Sequence, residues 1–322
     1  MGSGRKDTQG PGEKELIQAD IKGLLSEEMI RADVLLDEPM AGHTTLRIGG
    51  PADVFVVPHD IESLAQVVRT TGKNGIPVLP LGGGSNLLVS DRGIEAVVVS
   101  MGALKNLTTV QETGNECVYH VEAGVVLGKL LEISREKGLT GVEGLAGIPG
   151  QVGGAVMGNA GAFGCEIKDV LVAITVMDEL GDIKTLSRQE IPFGYRTMGI
   201  SRGFTILAAT FRLGKDSPEA VSRRIEDYRR EKRSRQPLGQ RSAGCVFKNP
   251  EGSPAGRLID EAGLKGMRKG DIEVSDMHAN FFINKGKGSA EDFLWLMDKV
   301  ASEVKKRSGM VLEPEIKIVG RW

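Results

Sequence analysis

The residues best placed to do chemistry in this chain are glycines. The stretch 141–164, GVEGLAGIPGQVGGAVMGNAGAFG, holds nine glycines among 24 residues and a single charge, Glu143. Glycine leaves the backbone bare, so its N–H groups can approach an anionic ligand closely. A second cluster, Gly82-Gly83-Gly84-Ser85-Asn86, follows the apolar run PVLPL and offers N–H groups and a hydroxyl to a phosphate. A structural tight turn explains either cluster as well. Collagen is excluded, because the every-third-residue phase runs only from Gly141 to Gly153 and breaks at Gly154. A flexible linker is disfavoured by the interleaved Leu145, Ile148, Val152, Val156, Met157 and Phe163. Neither GxxxxGK[ST] nor GxGxxG occurs, so the P-loop and Rossmann fingerprints are missing. Two such clusters with strands between them point to a different dinucleotide fold.

Other residue types narrow the chemistry. Cys117, Cys165 and Cys245 lie far apart without a CxxC, which fits a reducing compartment. His43, His59, His120 and His278 form no close ligand spacing, so no metal site is expected. Lys plus Arg is 41 and Asp plus Glu 43, a net charge of −2, and aromatics are only 4%. That argues against a nucleic-acid partner. The first 30 residues lack the apolar core of a signal peptide, and no apolar run is long enough to span a membrane. A soluble, cytoplasmic protein is expected, with residues 1–20 a flexible leader.

The elements that must position these groups read as α+β. The 322 residues suggest about two domains. ADVFVVP (52–58), PVLPL (77–81), GIEAVVVS (93–100) and CVYHVEAG (117–124) read as strands. Between the first two, Asp60 caps a helix with apolar face Ile61, Leu64, Val67 and Val68. VVLGKLLEISREKG (125–138) has helical spacing at Leu127, Leu130, Leu131 and Ser134. VLVAITVMD and IKTLS form a hairpin, and FTILAATFRL (204–213) is a further strand. Residues 217–235 form a charged helix with i,i+4 pairs Glu226–Arg230 and Glu231–Arg235. Its face is either a solvated one or a basic end that meets an anionic ligand. A domain boundary falls near 215. Beyond it come GCVFKNP as strand and turn, a short helix from Pro254 to Ala262, and strands near 272–275 and 280–284. A helix capped by Ser289 and ended by Gly309 follows, then a last strand in EPEIKIVG.

Five segments in order carry a resemblance: TTLRIGGPAD (44–53), LPLGGGSNLLVSD (79–91), GLAGIPGQVGGAVMGNAGAFG (144–164), SAGCVFKNP (242–250) and LEPEIKIVG (312–320). Over residues 40–320 the chain resembles the UDP-N-acetylenolpyruvoylglucosamine reductase family, in its shorter type II form. The glycine segments alone would indicate only the wider FAD domain shared with vanillyl-alcohol oxidase. The resemblance implies a two-part FAD-binding domain, 21–90 and 91–215, and a C-terminal α+β substrate-binding domain, 216–309. The tail 310–322 would pack on the first part. It implies non-covalent FAD, which takes hydride from NADPH at N5 and passes it to the enolpyruvyl group of a UDP-sugar in peptidoglycan synthesis. A monomer is expected.

The resemblance also implies roles. Arg196 would stabilise the enolate, since a guanidinium stays charged and binds a carboxylate bidentately. Glu315 would assist it. Cys245 stands where many relatives carry a serine proton donor, and a thiol also gives a proton. Tyr195, Arg235, Lys248 and Asn249 would meet the substrate. Arg47, Ile48, Gly49, Gly82, Gly83, Gly84, Ser85, Asn86, Gly147, Ile148, Pro149, Gly150, Asn159, Ala160 and Gly161 would line the cofactor. An alcohol or hydroxy-acid oxidase on the same FAD fold is the competing reading, but it leaves SAGCVFKNP and LEPEIKIVG unexplained.

Overall fold

The computed structural model describes residues 18, 21–26, 28–200 and 203–322. Most of the expected leader lies outside these residues. The first sheet has four strands in the order Ala32–Pro39, Pro51–Pro58, Ile94–Ser100, Val78–Leu81. Its last three strands run parallel and its first antiparallel. Parallel neighbours require a crossover, and the helix Ile61–Lys73 supplies it. The Asp60 carboxylate accepts the Ser63 N–H at 2.8 Å and starts that helix, which buries Leu64, Val67 and Val68. The strand Ile94–Ser100 belongs to this sheet, so a boundary between 90 and 91 would cut it. The hydrogen-bonded ladder to Pro51–Pro58 and Val78–Leu81 is the physical reason for moving that boundary toward 100.

The second sheet is antiparallel, in the order Ile183–Ser187, Leu171–Asp178, Phe204–Lys215, Glu116–Glu122, Leu107–Glu112. The helices Leu127–Lys137 and Pro218–Arg235 lie against one another beside it. Leu127, Leu130, Leu131 and Ser134 are all buried, as their spacing predicts. One hydrophobic core runs from the first sheet through the second, from Ile21 to Ile225.

A separate core serves the C-terminal part, with Phe247, Ile259, Phe282, Phe293, Leu296 and Val304. The helices Ala255–Glu261 and Ala290–Ser308 pack there with a small sheet. Leu46, Ile48 and Leu88 from the N-terminal part enter the same core. Hydrogen bonds also tie the parts together. Asp91 accepts the N–H groups of Ala290 and Glu291 at 3.0 and 3.1 Å, at the start of the long helix. The tail strand Lys317–Val319 pairs in parallel with Leu87–Val89, directly after the glycine cluster at 82–86. Among the described residues, no helix is long and apolar enough to cross a membrane.

GCVFKNP differs from its expected strand. It makes only isolated bridges, Cys245 to Phe281 and Phe247 to Pro314. The Asn280 side chain is the reason: it donates to the Phe247 carbonyl at 2.7 Å and accepts the Phe247 N–H at 2.9 Å. A side chain takes the place of the next ladder rung there.

Candidate active site

The fold brings the two glycine clusters face to face. A Cβ on Gly83 would sit 3.2 Å from the Gly150 Cα, and one on Gly150 would meet the Ser85 Oγ at 2.8 Å. Ser85 donates to the Pro149 carbonyl at 3.3 Å. Gly150 has φ +114, a conformation that side chains resist. A cavity of about 290 Å³ opens beside them, lined by Thr44, Thr45, Arg47, Leu81, Gly82 and Gly83 among others. The Gln151 Oε1, against Gly82, is buried without a hydrogen-bond partner among the described residues. Bare backbone N–H groups and an open cavity fit a phosphate-bearing cofactor such as FAD, and the unspent Gln151 oxygen, an acceptor, suits a hydroxyl or N–H of the rest of that cofactor.

Not every expected cofactor residue faces this space with its side chain. Ile48 is buried in the C-terminal core, and its N–H and carbonyl are both bonded to the Thr44 hydroxyl, at 3.3 and 2.9 Å. Gly49 and Gly84 are demanded by packing, since a Cβ would press on Val89 at 2.9 Å or on the His43 carbonyl at 2.0 Å. Arg47 lines the cavity and donates to the Gly42 carbonyl at 2.9 Å. Asn86 donates from its amide to the Glu315 carbonyl at 3.1 Å. Gly147 and Pro149 are exposed, while Ile148 and Ala160 are half-buried. Asn159 is buried, and Gly161 offers its carbonyl to Arg196.

Arg196, Cys245 and Glu315 converge. The Arg196 Nε lies 3.0 Å from the Glu315 Oε1, with both side chains about a quarter exposed or less (25% and 20%). No aligned hydrogen bond satisfies that Nε, so the pair meets charge to charge. Arg196 also donates from Nη1 to the Gly161 carbonyl at 3.0 Å, and it adopts φ +57. The Glu315 N–H donates to the Val246 carbonyl at 2.8 Å, next to Cys245. Burial pushes the Glu315 carboxyl up, against the opposing pull of Arg196 and Lys248. Burial and the Glu315 charge push the Cys245 thiol up to about 12, with Arg196, Asn280 and Lys232 working the other way. Cys245 therefore holds its proton at neutral pH.

The substrate candidates divide. Tyr195 is exposed, and its hydroxyl accepts the Asn249 N–H at 3.4 Å, which joins the Arg196 turn to SAGCVFKNP. The Asn249 Oδ1 accepts the Ala255 N–H at 2.9 Å. Lys248 pairs with Glu313 at 3.4 Å. Arg235 is 72% exposed and pairs with Glu231 at 2.9 Å. The other expected helix pair is replaced, because Glu226 takes Arg229 at 2.8 Å instead of Arg230.

Lys232, on that helix, is a cation the sequence did not single out. It is 6% exposed and has no carboxylate within ion-pair distance among the described residues. Its ammonium lies 5.7 Å from the Phe163 ring centre, and its chain packs against Gly147. Burial, and then the Arg196 charge, pull it down to about 8. Its only signal in the sequence is its place in the basic run of the 217–235 helix.

The two-sheet domain with its paired glycine loops, followed by a smaller α+β domain, defines a class: FAD-binding domains of the vanillyl-alcohol-oxidase type joined to a second domain. Residues 52–187 match the family described as FAD binding domain. Residues 236–319 match UDP-N-acetylenolpyruvoylglucosamine reductase, C-terminal domain. The reductase of Syntrophus aciditrophicus is 43% identical over 89% of this chain and 92% of its own length. That of Clostridium novyi is 41% identical over 94% of this chain and 96% of its own. The crystal structure of the Thermus caldophilus enzyme superposes with a TM-score of 0.76 at 36% identity, covering 90% of this chain and 99% of that one. Berberine bridge enzyme shares the fold, with a TM-score of 0.50 at 19% identity over 62% of this chain and 44% of its own. The chain belongs to the UDP-N-acetylenolpyruvoylglucosamine reductase family.

Proposed function

We propose that this chain is an FAD- and NADPH-dependent UDP-N-acetylmuramate dehydrogenase of peptidoglycan synthesis. It reduces the enolpyruvyl group of UDP-N-acetylglucosamine-enolpyruvate. The observation that carries this reading is the meeting of Arg196, Glu315 and Cys245 beside paired glycine loops, within a chain of this family.

Gly82, Gly83, Ser85 and Gly150 would hold the cofactor diphosphate through backbone N–H groups, and the Ser85 hydroxyl would join them by leaving the Pro149 carbonyl. When bound, FAD supplies the hydride transfer between NADPH and the enolpyruvyl double bond. The rest falls to the chain. Hydride addition at one carbon of the double bond leaves negative charge on the enolate side, next to the substrate carboxylate. Arg196 binds that carboxylate and stabilises the charge. Glu315 orients the guanidinium through their contact. Cys245 delivers the proton that completes saturation. Lys232 adds a buried cation for an anionic part of the substrate, one of the two readings the sequence left open for this helix. Tyr195, Asn249 and Lys248 frame the nucleotide-sugar side, and exposed Arg235 would reach only an outer phosphate.

The reading divides the chain at about 100 and 215, with residues 310–322 returning to the first part. The type II form fits the short path of seven residues between Arg196 and the strand Phe204–Lys215. A cytoplasmic monomer without nucleic-acid partners fits a net charge of −2. NADPH oxidation that depends on the UDP-enolpyruvyl sugar, with UDP-N-acetylmuramate as product by mass spectrometry, tests the proposal. Flavin that added alcohols or hydroxy acids reduce, and that the UDP-enolpyruvyl sugar leaves reduced, would refute it.

A further inference from the structure

Asn159 is expected from the sequence to touch the cofactor, yet its side chain is fully engaged elsewhere. It is 0% exposed and lies in the left-handed region at φ +42. Its Nδ2 donates to the Glu166 carboxylate and to the Gly194 carbonyl, both at 3.1 Å. Its Oδ1 accepts the Lys168 N–H at 3.2 Å. A primary amide has two N–H groups and one oxygen, and each already has a protein partner.

The Gly194 contact is the informative one. Gly194 and Thr197 close a tight turn, with the Gly194 N–H donating to the Thr197 carbonyl at 3.0 Å. Arg196 sits in this turn at φ +57. A non-glycine residue persists there only when its surroundings over-determine it. The segment 157–161 provides that grip at three points: the Met157 carbonyl accepts the Met198 N–H at 3.0 Å, the Asn159 amide holds Gly194, and the Gly161 carbonyl accepts from Arg196 itself at 3.0 Å. The Asn159 amide also bonds the carboxylate of Glu166, which pairs with Lys168 and, like Glu315, feels the Arg196 charge.

We propose that Asn159 is a positioning residue for Arg196: its amide clamps the 194–197 turn so that the guanidinium is aimed at the substrate carboxylate, and it does not serve as a cofactor ligand. The inference rests on the role proposed for Arg196.

The test uses the full chain with FAD. Asn159→Gly keeps the backbone conformation and removes all three contacts. Asn159→Asp keeps the acceptor and loses the donors, and it stands in if the glycine variant does not fold. Bound flavin per protein, flavin reoxidation by the UDP-enolpyruvyl sugar, and a double-mutant cycle with Arg196→Lys are measured. Both Asn159 variants should retain FAD and slow reoxidation about 100-fold, the scale of an ångström-sized misplacement. Adding Arg196→Lys should cost little more, because both changes act through one group. Unchanged reoxidation, additive losses, or loss of FAD from both Asn159 variants while Arg196→Lys retains it would overturn the assignment. If the sugar fails to reoxidise the wild-type flavin, the proposed function falls. A crystal structure of Asn159→Gly then decides the positioning role alone: an Arg196 still 3.0 Å from the Gly161 carbonyl overturns it, and a displaced one supports it.

Discussion

The proton on Cys245 can be tested directly by alkylation. The thiolate is the reactive form. With the thiol pushed up to about 12, only about one Cys245 in 10,000 is ionised at pH 8, against about one in four for an ordinary thiol. Iodoacetamide should therefore label Cys245 about three orders of magnitude more slowly than a free thiol. Cys165 is an internal reference, because it is also half-buried and is pushed up to about 11, first by burial and then by Asp169. It should react about tenfold faster than Cys245 at the same exposure. Glu315→Gln should speed Cys245 labelling, since the Glu315 charge is the largest cause after burial. Peptide mass spectrometry over a time course at pH 8 and 9 reads all three rates. Labelling of Cys245 at the rate of a free thiol would refute the reasoning, for burial and the Glu315 charge would then not be holding the proton on the thiol. The functional counterpart is Cys245→Ala, which should leave flavin reduction by NADPH in place and abolish most sugar reduction. Unchanged turnover would remove Cys245 from the mechanism.

Other outcomes follow from the same structure. The Lys232 ammonium is buried with a value of about 8, below the ordinary 10.5, so its burial opposes folding below about pH 8 and that opposition fades as pH rises toward 10.5. Lys232→Met should raise stability at pH 7 by up to about 3 kcal/mol, with the gain shrinking by pH 10, while it weakens sugar turnover; equal denaturation midpoints at both pH values would contradict this. Gly150→Ala should sharply lower FAD retention, because the new Cβ meets the Ser85 Oγ at 2.8 Å and the backbone resists φ +114, as flavin absorbance per protein will show. Phe293→Ala, at 0% exposure in the C-terminal core, should cost about 3–5 kcal/mol in urea denaturation.

The sequence carried the elements better than the contacts between them. The helices Ile61–Lys73, Leu127–Lys137, Pro218–Arg235 and Ala290–Ser308 were legible because caps and apolar spacing are local signals. Ala32–Pro39 and Leu107–Glu112 were not read as strands. Both are sheet edges with mostly exposed side chains, so alternation is weak. The glycine clusters were visible one at a time, but the contact of Gly83 with Gly150 depends on tertiary closure. Arg196, Cys245 and Glu315 were found through motif resemblance. Lys232 is the one lysine among six arginines between Arg223 and Arg235, and no local pattern marks it as buried. Asn159 shows the converse: its motif pointed at the cofactor, and its amide is spent on the Arg196 turn.

The central claim is a hydride path from NADPH to the sugar through a flavin held by this chain. An anaerobic visible spectrum of the protein with FAD, followed as NADPH and then the UDP-enolpyruvyl sugar are added, tests it most directly. The account predicts a flavin band bleached by NADPH and restored by the sugar. A flavin that NADPH bleaches and the sugar leaves bleached would contradict it.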